Sequence, residues 1–455
     1  MNLANALRLP QSPTIAFVGA GGKTTALFQL ARELNGPVIV TATTHLGAWQ
    51  IPLADSHIIV KAPAPIEAIE HSLSGVMLVT GEVVNDRTQP LDNKVLLWLR
   101  AVCERHFLPL LIEADGSRQK PLKAPAEHEP AIPEFVELVV QVAGLTGLGK
   151  PLEEEYVHRP EKFAHLSGLR FGETITPEAL VRVLMHPKGG LKNIPAQARR
   201  VALLNQADTP ELQSQADSIA KSLIPTYDSV VVASLKEEKI HAVHEPIAGI
   251  ILAAGESTRF GRPKQLLDWR GEPFAHAVAK TSLEAGLAPV IVVTGAHAEQ
   301  VAAAVNDLPV QIVHNSEWKS GQASSIKAGI HPLPSPPPNF MDLGEGAPQG
   351  RVGVGAAVFL LTDQPQIPPT IIHALIEKHA ATLAPIVAPL ILDQRGNPVL
   401  FDRVTFPDLM KLEGDVGGRG IFSKYKVTYL PWHDDALLLD VDTPEHYQRL
   451  KDLLK

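Results

Sequence analysis

The feature that most restricts the fold is an alternation of short apolar runs with helix-like stretches, which passes along the chain twice. In the first half, apolar runs such as TIAFVG, PVIVTATT and LPLLIEAD alternate with stretches such as TTALFQLARELN. The alternation restarts at GIILAAG and continues through APVIVVTG and AAVFLLTD. Short buried strands separated by helices are typical of a mostly parallel sheet with helices on both faces. The sequence therefore predicts an α/β protein with two doubly wound, three-layer α/β/α domains.

The chain length also favours two domains, because 455 residues exceed what one ordinary core holds. The alternation fades and the charge rises in SLKEEKIHAVHEP. We therefore expect a first domain over residues 1–238, a linker over 239–246 and a second domain over 247–455. A segment rich in proline and glycine, at about residues 331–353, predicts a loop inserted in the second domain.

Composition restricts the class of partner. The formal net charge of −8 disfavours binding along a nucleic-acid backbone, which needs a positive surface. The single cysteine, Cys103, allows no intrachain disulfide and no cysteine-based metal cluster. No uncharged apolar run reaches the roughly 18 residues of a membrane span. We expect a cytoplasmic protein that acts on small molecules and binds neither nucleic acid nor membrane.

A glycine-rich loop follows the first apolar run, in the form GAGGKTT. The residues expected to bind a nucleotide there are Gly19, Gly21, Gly22, Lys23, Thr24 and Thr25. Backbone N–H groups of such a loop contact phosphate oxygens, the lysine neutralises phosphate charge, and Thr24 can bind Mg²⁺. Phe17 stands where a complete Walker A motif has glycine, so the match is to the shorter GxxGKTT form. A tight strand-to-helix connection without a ligand is the alternative.

Two later strand ends support a nucleotide site. LPLLIEAD ends in Glu113 and Asp115, and we assign Asp115 to the Mg²⁺ site together with Thr24. RVALLNQAD ends in a form similar to the N-[KQ]-x-D motif of P-loop GTPases, so Asn205 and Asp208 are predicted to select GTP over ATP. An ordinary loop after a strand is an equal alternative for that motif.

The stretch ADGSRQKPLKAPAEHEP carries a mixed set of charged and polar side chains. They are Arg118, Lys120, Lys123, His128 and Glu129. Such a set indicates either a cluster that receives an anionic ligand or a solvated basic loop.

The first half as a whole resembles a known family. GAGGKTT, TATTH, IEADGSRQKPLKAPAEHEPAIP, VHRPEKFA and LLNQAD together resemble the selenium-dependent hydroxylase accessory proteins, over nearly all of residues 12–235. The resemblance implies a P-loop NTPase-like domain that uses ATP or GTP in the maturation of a molybdenum hydroxylase, whose apoenzyme is a possible partner. A Mur-like ligase with the same loop remains an alternative.

The second domain opens with the longer motif GIILAAGESTRFGRPKQLL. The residues expected to contact a nucleotide are Leu252, Ala253, Ala254, Gly255 and Ser257. Arg259 and Lys264 are predicted to be catalytic, because their charges would offset the charge that develops as pyrophosphate leaves. The long, constrained form LAAGxSxRxGxxKxLL makes a chance match improbable.

This motif and five later ones resemble the nucleotidyltransferases that include molybdenum cofactor cytidylyltransferase, over nearly all of residues 247–455. The later motifs are SGQASSIKAGI, LLTDQP, RGNPVLF, GDVGGRG and DVDTPEHY. The resemblance implies a Rossmann-like domain that transfers CMP from CTP to molybdopterin, with Mg²⁺, and releases pyrophosphate. The alternatives are a transferase for another phosphorylated acceptor, such as a sugar phosphate, using GTP, ATP or UTP, and a cofactor chaperone switched by nucleotide.

The later motifs supply the remaining site residues. Asp363 is the first Mg²⁺ ligand and a catalytic residue, and Asp442 is the second ligand, with Asp440 as its rival. Further nucleotide contacts are expected from Gly321, Gln322, Ser324 and Ser325. The resemblance implies an acceptor side formed by Gly396, Asn397, Pro398, Gly414 and Asp415.

Overall fold

The computed structural model describes residues 1–60, 73–258, 260–334 and 353–452. Within them the chain divides into two compact units, residues 1–244 and residues 245–452, here called the N-terminal and C-terminal domains. Most of the predicted insertion at residues 331–353, together with the predicted catalytic Arg259, lies outside the described residues. Among the helices of these ranges, none is long and apolar enough to span a bilayer.

The N-terminal domain is built on a nine-stranded sheet. The strands of the whole domain, including four that lie outside this sheet, are β1 (Thr14–Gly19), β2 (Val38–Ala42), β3 (Ser56–Ile59), β4 (Val76–Thr80), β5 (Val83–Val84), β6 (Arg87–Thr88), β7 (Leu110–Glu113), β8 (Leu122–Lys123), β9 (Leu138–Gly144), β10 (Val157–His158), β11 (Arg199–Asn205), β12 (Ser229–Ser234) and β13 (Lys239–His244). The sheet order is β13-β12-β11-β9-β1-β7-β2-β4-β3, and every pair is parallel except β12 with β13. The short strands β8 and β10 form a separate parallel pair.

Helices supply the crossover connections that parallel strands need. They are α1 (Leu3–Ala6), α2 (Lys23–Glu33), α3 (Asn93–His106), α4 (Pro160–Ser167), α5 (Pro177–Met185) and α6 (Pro210–Leu223). Side-chain caps fix four of their starts, since Asn2, Asp92, Thr176 and Thr209 each accept a hydrogen bond from a backbone N–H in the first turn. The central strands are buried along their whole length, which explains why they read as continuous apolar runs.

The predicted linker over residues 239–246 is corrected by the structure. Residues 239–244 form β13, which pairs antiparallel with β12 and completes the edge of the first sheet. The segment contains an alternation of partly buried apolar and polar residues, and only Val243 is fully buried. An edge strand tolerates such charge because one side of it faces solvent, and this makes it resemble a linker in sequence.

The C-terminal domain holds an eight-stranded mixed sheet. The strands of the whole domain, including the separate pair β15 and β16, are β14 (Ile247–Ala253), β15 (Asp268–Trp269), β16 (Glu272–Pro273), β17 (Val290–Thr294), β18 (Gln311–His314), β19 (Ala356–Leu361), β20 (Ile386–Ile391), β21 (Gln394–Arg395), β22 (Val399–Asp402) and β23 (Val427–Pro431). The sheet order is β18-β17-β14-β19-β22-β20-β21, with β23 paired to β20. The pairs β14–β17, β14–β19 and β17–β18 are parallel, whereas β22 runs antiparallel to its neighbours.

Two apolar cores, one on each face of this sheet, make the domain three-layered. Its helices are α7 (Phe274–Glu284), α8 (Ala298–Ala304), α9 (Gln322–Ile330), α10 (Pro369–Thr382), α11 (Phe406–Leu409) and α12 (Pro444–Asp452). Ile251 of β14 packs with residues of α7 and α10, while its neighbour Ile250 packs with α9 and α11. Successive side chains of a strand point to opposite faces, so the helices cover both sides. The predicted α/β class is confirmed.

Candidate functional sites

The C-terminal motifs meet at the carboxyl ends of the parallel strands. β14 runs directly into Ala254 and Gly255, and its parallel neighbour β19 runs into Thr362 and Asp363. Open α/β sheets bind ligands at this edge, because loops from adjacent strands open a crevice there. The sequence order of the motifs is thus converted into one cluster by the parallel pairing of β14 and β19.

Lys264 is the centre of this cluster. Its ammonium nitrogen Nζ lies 2.9 Å from Asp363 Oδ2 and 2.7 Å from Asp442 Oδ1. Burial lowers the pKa of Lys264, but the charges and hydrogen bonds of the two carboxylates outweigh burial and leave the pKa above its usual value. The lysine is therefore a fixed positive charge at neutral pH. It contacts two aspartates that are 79 positions apart in the sequence and are brought together only by the fold.

The loop that carries Lys264 is held by its own side chains. Ser257, which has a positive φ of 58°, accepts a hydrogen bond from the Lys264 N–H at 3.0 Å. Gln265, which is buried, donates to the Gly255 carbonyl at 2.7 Å and to the Ala253 carbonyl at 3.3 Å. Sequence reasoning passed over Gln265, although its place directly after the lysine in PKQLL was a signal. The glutamine fixes the turn over which the lysine returns to the strand edge.

A cavity of about 760 Å³ lies over this cluster. Its lining includes most of the predicted nucleotide and metal residues: Leu252, Ala254, Gly255, Ser257, Lys264, Gly321, Gln322, Ser325, Asp363 and Asp442. Ala253 is buried in the strand, and the Ser324 hydroxyl hydrogen-bonds to the Asn315 amide and to backbone carbonyls, so neither lines the cavity. Trp318 and Lys319 line it and were not predicted. The volume falls in the range of small-molecule sites.

The residues predicted for the acceptor divide between two cavities. Asn397 lines a second cavity of about 260 Å³ together with Arg419 and Asp440, whereas Asp415 lines the larger cavity. Asp415 Oδ1 accepts from the Gln322 N–H at the start of α9, at 3.3 Å. Gly396 and Pro398 are not part of either lining. The predicted acceptor group is therefore not one cluster, because Asp415 belongs with the nucleotide-side residues.

Gly414 has a packing role next to Gly321. Gly321 has a φ of 111°, and a side-chain carbon added to it would lie 2.3 Å from the Gly414 carbonyl carbon. Only glycine fits there, since both the backbone conformation and the close approach exclude a Cβ atom. The pair lets the GDVGGRG segment lie directly against the start of α9.

The candidate metal ligands Asp363 and Asp442 differ from Asp440, the alternative second ligand, in their hydrogen bonds and charge. Asp440 accepts a hydrogen bond from Gln364 Nε2 at 2.6 Å, and burial and the charges of Asp363 and Asp442 raise its pKa to about 6. Asp363 leaves its oxygen Oδ1 buried without a hydrogen-bond partner. An orphaned carboxylate oxygen beside a second carboxylate is the kind of donor set that Mg²⁺ takes, with water completing its shell. Across the described part of the chain, no group of three or more acidic, histidine or cysteine side chains is placed to hold a metal.

In the N-terminal domain, the GAGGKTT loop connects β1 to α2. Gly19, Gly21 and Gly22 have positive φ angles, as the loop prediction requires. The N–H groups of Gly19, Ala20 and Gly21 donate to Asp115 Oδ2, the Val142 carbonyl and the Lys120 carbonyl. The early part of the loop is therefore already hydrogen-bonded inside the domain. The N–H groups at the start of α2, which have no intrahelical acceptor, are left to face an anion.

Two acids lie beside the loop, the predicted Asp115 and Glu113. Asp115 is buried and pairs with Lys23 at 3.2 Å and with Lys123 at 2.7 Å, so its charge is already neutralised. Glu113 accepts from the Thr24 hydroxyl at 3.1 Å, and burial, with the charge of Asp115, raises its pKa despite the nearby Lys23. The assignment of Asp115 to the metal stays a prediction; two lysines pair with this carboxylate, and Glu113 is the acid that contacts Thr24. Thr25 is exposed at the start of α2.

Of the two residues predicted to recognise guanine, Asn205 is buried and Asp208 is exposed. Asn205, at the end of β11, donates from Nδ2 to the Gly21 carbonyl at 2.7 Å and accepts at Oδ1 from the Leu235 N–H at 3.0 Å. Both ends of the amide are used inside the domain, so this residue supports the loop. Asp208 is exposed two residues after Gln206. Of the two predicted residues, Asp208 is the one whose side chain is exposed to solvent.

The charged stretch after β7 divides into buried and exposed members. Lys123 Nζ contacts Asp115 and, at 3.0 Å, Glu129, while Glu129 accepts from both guanidinium nitrogens of Arg159 at 2.8 and 3.1 Å. Burial raises the pKa of Glu129, but the hydrogen bonds and charges of Arg159 and Lys123 outweigh it and lower the pKa to about 2. Arg118 and Lys120 instead line a cavity of about 660 Å³, and His128 is exposed.

A doubly wound domain with a glycine-rich loop, a lysine and two aspartates at the carboxyl edge of its strands defines a nucleotidyltransferase. Residues 249–429 match the MobA-like NTP transferase domain family, and residues 15–161 match the YqeC protein family. The chain belongs to both families, one through each domain, which confirms the two resemblances expected from the sequence.

Individual relatives each match one half of the chain. An uncharacterized protein YqeC of Escherichia coli is 36% identical over 199 residues, which are 42% of this chain and 75% of the relative. Nicotine blue oxidoreductase of Paenarthrobacter nicotinovorans is 32% identical over 215 residues, 45% of this chain and 96% of the relative. Purine catabolism protein PucB of Bacillus subtilis is 28% identical over 219 residues, 45% of this chain and 96% of the relative.

Proposed function

We propose that the C-terminal domain transfers CMP from CTP to molybdenum-loaded molybdopterin and releases pyrophosphate. The N-terminal domain binds or hydrolyses ATP or GTP in the same process, the maturation of molybdenum hydroxylases, selenium-dependent ones included. The observation that carries the proposal is the position of Lys264 between Asp363 and Asp442 at the base of the 760 Å³ cavity.

The reaction is a displacement at the α-phosphorus of the triphosphate. An oxygen of the acceptor's phosphate forms a bond to the α-phosphorus, and the bond from that phosphorus to the oxygen bridging to the β-phosphate breaks, so that its electrons leave with pyrophosphate. A phosphomonoester is already ionised near neutral pH and needs no strong general base. The protein must therefore orient the two reactants and offset negative charge.

Lys264 and the backbone of the loop supply those functions. The raised pKa of Lys264 keeps it cationic, so its ammonium group attracts the phosphates while remaining anchored by Asp363 and Asp442. Small residues at Ala254 and Gly255 let the backbone approach the nucleotide closely. Anchoring matters because a charge that is fixed before the reaction costs no reorganisation when the transition state forms.

Asp363 and Asp442 are the residues that would hold a divalent cation. Mg²⁺ bound there would draw electron density from phosphate oxygens and offset the charge of the leaving pyrophosphate. The buried, unpartnered oxygen of Asp363 supports this assignment. In the free protein, Lys264 lowers the repulsion between the two carboxylates. With Mg²⁺ bound, the lysine and the cation would share them.

The acceptor is assigned to the smaller cavity that adjoins the nucleotide side. Leu252, Gln322 and Leu361 line both cavities, so a molecule in the smaller one would reach the larger one past these residues. Asn397 and Arg419 offer amide and guanidinium donors there, and Phe401 and Phe422 offer flat apolar surface. These groups suit a planar heterocycle that carries a phosphate, as molybdopterin does.

In the N-terminal domain, the start of α2 and Lys23 would bind the phosphates of ATP or GTP. Thr24 and Glu113, which hydrogen-bond to each other, would hold the associated Mg²⁺. Asp208, exposed at the end of the NQAD motif, is proposed to favour guanine.

The names of the relatives bear on the process. PucB is named as a protein of purine catabolism, which is compatible with service to a hydroxylase of heterocycles. A second relative is named nicotine blue oxidoreductase, and this makes an oxidoreductase the principal rival. Electron transfer would release no pyrophosphate, so one product separates the two activities.

The first experiment measures pyrophosphate release by the full chain with Mg²⁺ and molybdenum-loaded molybdopterin, with CTP, GTP and ATP in parallel. The proposal expects release with CTP. Release only with another nucleotide or a sugar phosphate acceptor would favour a transferase of different specificity. Absence of release with every pair would favour the oxidoreductase or a nucleotide-switched cofactor chaperone.

Variants connect the activity to the site. Lys264→Ala removes the fixed charge and is expected to lower turnover by roughly 10²–10³-fold, the usual effect of losing one such electrostatic group. Asp363→Asn is expected to lower turnover and to raise the Mg²⁺ concentration needed for half activity. The control is Lys411→Ala, whose side chain is 73% exposed in the same domain and lies outside both cavities. Equal loss in the control and in Lys264→Ala would contradict the assignment.

A further inference from the structure

An alternating chain of charges crosses the interior of the N-terminal domain. It runs from Lys23 of the phosphate loop to Asp115, Lys123, Glu129 and Arg159, with successive contacts of 3.2, 2.7, 3.0 and 2.8 Å. The first four side chains are at most 9% exposed. Buried ion pairs seldom raise stability over apolar packing, because removing charges from water is costly. A chain of this length therefore calls for a functional explanation.

The far end of the chain opens into the cavity of about 660 Å³. Arg159 lines it together with Arg118, Lys120 and His158, and three exposed glutamates, Glu154, Glu155 and Glu161, line it too. Lys120, His158 and Arg159 are half-buried. Burial, with the charges of Arg159, Lys123 and Arg118, lowers the pKa of His158 to about 4, so the histidine is neutral at pH 7. Among the cations, Lys120 and Arg159 are more enclosed than the glutamates, whereas Arg118 is exposed. An anionic group that enters the cavity would meet Lys120 and Arg159 beyond the glutamates.

These cations keep donors for a ligand. Lys120 donates to the Glu155 carbonyl at 3.1 Å, which uses one of its three ammonium protons. Arg159 engages Glu129 and the Ala124 carbonyl through its two terminal nitrogens. Arg118 is exposed and is presented by a backbone of positive φ, 49° for Arg118 and 61° for Gln119. Arg118 and Gln119 form a two-residue turn in which the Lys120 N–H donates to the Ser117 carbonyl at 3.1 Å, and this turn presents the arginine at the surface.

Two short strands fix the chain relative to the cavity. β8 and β10 pair parallel, with His158 opposite Lys123. Lys123 belongs to the buried charge chain, whereas His158 lines the cavity. The pairing thus holds a residue of the charge chain and a residue of the cavity lining opposite each other.

We propose that this cavity is a second anion-binding site of the N-terminal domain, for a small molecule with a phosphate or carboxylate group, and that the charge chain makes it compete with the phosphate loop. The existence of the site is independent of the proposed function. The competition rests on the proposed binding of nucleotide by the loop.

The sign of the competition follows from the alternation. A nucleotide that attracts Lys23 weakens the ion pair between Lys23 and Asp115. Asp115 then interacts more strongly with Lys123, and this weakens the ion pair between Lys123 and Glu129. Glu129 then depends more on Arg159, and Arg159 becomes less available to an anion in the cavity. An anion in the cavity acts in the reverse direction and strengthens the hold of Asp115 on Lys23. Each ligand therefore weakens the binding of the other, and thermodynamic linkage requires the two effects to be equal.

The site is tested with radiolabelled inorganic phosphate in equilibrium dialysis. The full chain carries Lys264→Ala, which removes the cation of the C-terminal nucleotide site. Lys23 is kept, because its loss would leave Asp115 to Lys123, as a bound nucleotide does, and would itself weaken binding in the cavity. We expect bound phosphate, and adding Arg118→Ala with Lys120→Ala should reduce the number of bound phosphates by one. Arg170→Ala, a change at a 90% exposed arginine of the same domain, is the control and should have no effect. No phosphate bound, or an unchanged number of bound phosphates after removal of Arg118 and Lys120, overturns the site.

A second version repeats the measurement without the Lys264 change. In the otherwise unchanged chain, Arg118→Ala with Lys120→Ala should reduce the number of bound phosphates by one. Both side chains are outside the buried chain, and thermal unfolding of this variant should match that of the parent. An unchanged number of bound phosphates contradicts the proposal.

The competition is measured in the Lys264→Ala chain, whose loop is intact. Saturating Mg²⁺ and ATP should weaken phosphate binding in the cavity by about fivefold or more. Lys123→Met, which breaks the chain without lining the 660 Å³ cavity, should abolish that effect. If ATP binds and the phosphate affinity stays constant, the competition is wrong. If ATP does not bind while phosphate does, the proposed nucleotide site fails and the cavity site stands.

Discussion

Glu129→Gln tests how much the buried charge chain contributes to folding. Glu129 is 7% exposed and accepts hydrogen bonds from Lys123 and Arg159. Its pKa falls from the ordinary 4.5 to about 2, since the hydrogen bonds and charges of those partners outweigh burial. At about 1.4 kcal/mol for each tenfold change in the proton-binding equilibrium, this lowering of the pKa corresponds to roughly 3 kcal/mol at pH 7. Glutamine keeps some of the hydrogen bonding, so we expect a loss of about 2–3 kcal/mol.

The pH dependence has a definite sign. The pKa of the folded state is the lower one, so the unfolded chain binds the proton first as the pH falls. The contribution of Glu129 is complete above pH 4.5 and declines as the pH approaches 2. At pH 3 the two pKa values leave less than half of the contribution at pH 7. The parent and the variant should therefore converge in acid.

The assay is urea unfolding followed by the fluorescence of Trp98, which packs against the N-terminal core, in a chain where the other four tryptophans are phenylalanine. Glu237→Gln is the matched control, because Glu237 pairs with Lys239 at 2.8 Å but is 50% exposed. An exposed pair contributes roughly 0–1 kcal/mol. The reasoning is refuted if the two variants lose equal stability at pH 7, or if the loss at Glu129 does not shrink between pH 7 and pH 3.

Three further predictions address the other features. Lys23→Ala should weaken ATP or GTP binding at least tenfold by calorimetry, since it removes the loop's cation, and leave pyrophosphate release unchanged; equal loss of both would contradict separable sites. GTP should bind more tightly than ATP to the Lys264→Ala chain, and Asp208→Asn should abolish the preference; tighter ATP binding refutes guanine selection. His379→Ala should cost roughly 1–3 kcal/mol in urea unfolding, because Nε2 of this buried histidine lies 2.7 Å from the buried Asp402; a loss near zero would show that water replaces the bond.

Much of the C-terminal site could be predicted because its motifs are long. The spacing from Gly255 to Lys264 lies within one loop, so sequence distance limited spatial distance. Asp363 was predictable from its place after a buried strand, since the carboxyl ends of parallel strands form the ligand edge. Gln265 was missed because glutamine carries no charge signal. Ser324, which is predicted to contact the nucleotide, lies outside the cavity lining, because the direction of a helical side chain depends on where the helix lies.

The N-terminal site could be predicted only in outline. GAGGKTT indicated a loop at a helix start, and the positive φ angles agree with it. Which of Glu113 and Asp115 faces Thr24 depends on strand geometry, because the sequence places both after the same apolar run. The ion pair between Lys123 and Asp115 could not be predicted from the sequence, because the turn between β7 and β8 brings the two side chains together.

Sequence alone determined the α/β class, the two domains and the loops, because periodicity and glycine spacing act over short stretches of chain. Tertiary structure alone decided the partners of each charge. Lys264 meets Asp442 across 178 positions, and Glu129 meets Arg159 across 30. The edge strand at residues 239–244 was likewise settled by its pairing with β12 rather than by its composition. Local patterns fix local conformation, whereas the environment that sets a pKa or completes a site is assembled from distant segments when the sheet forms.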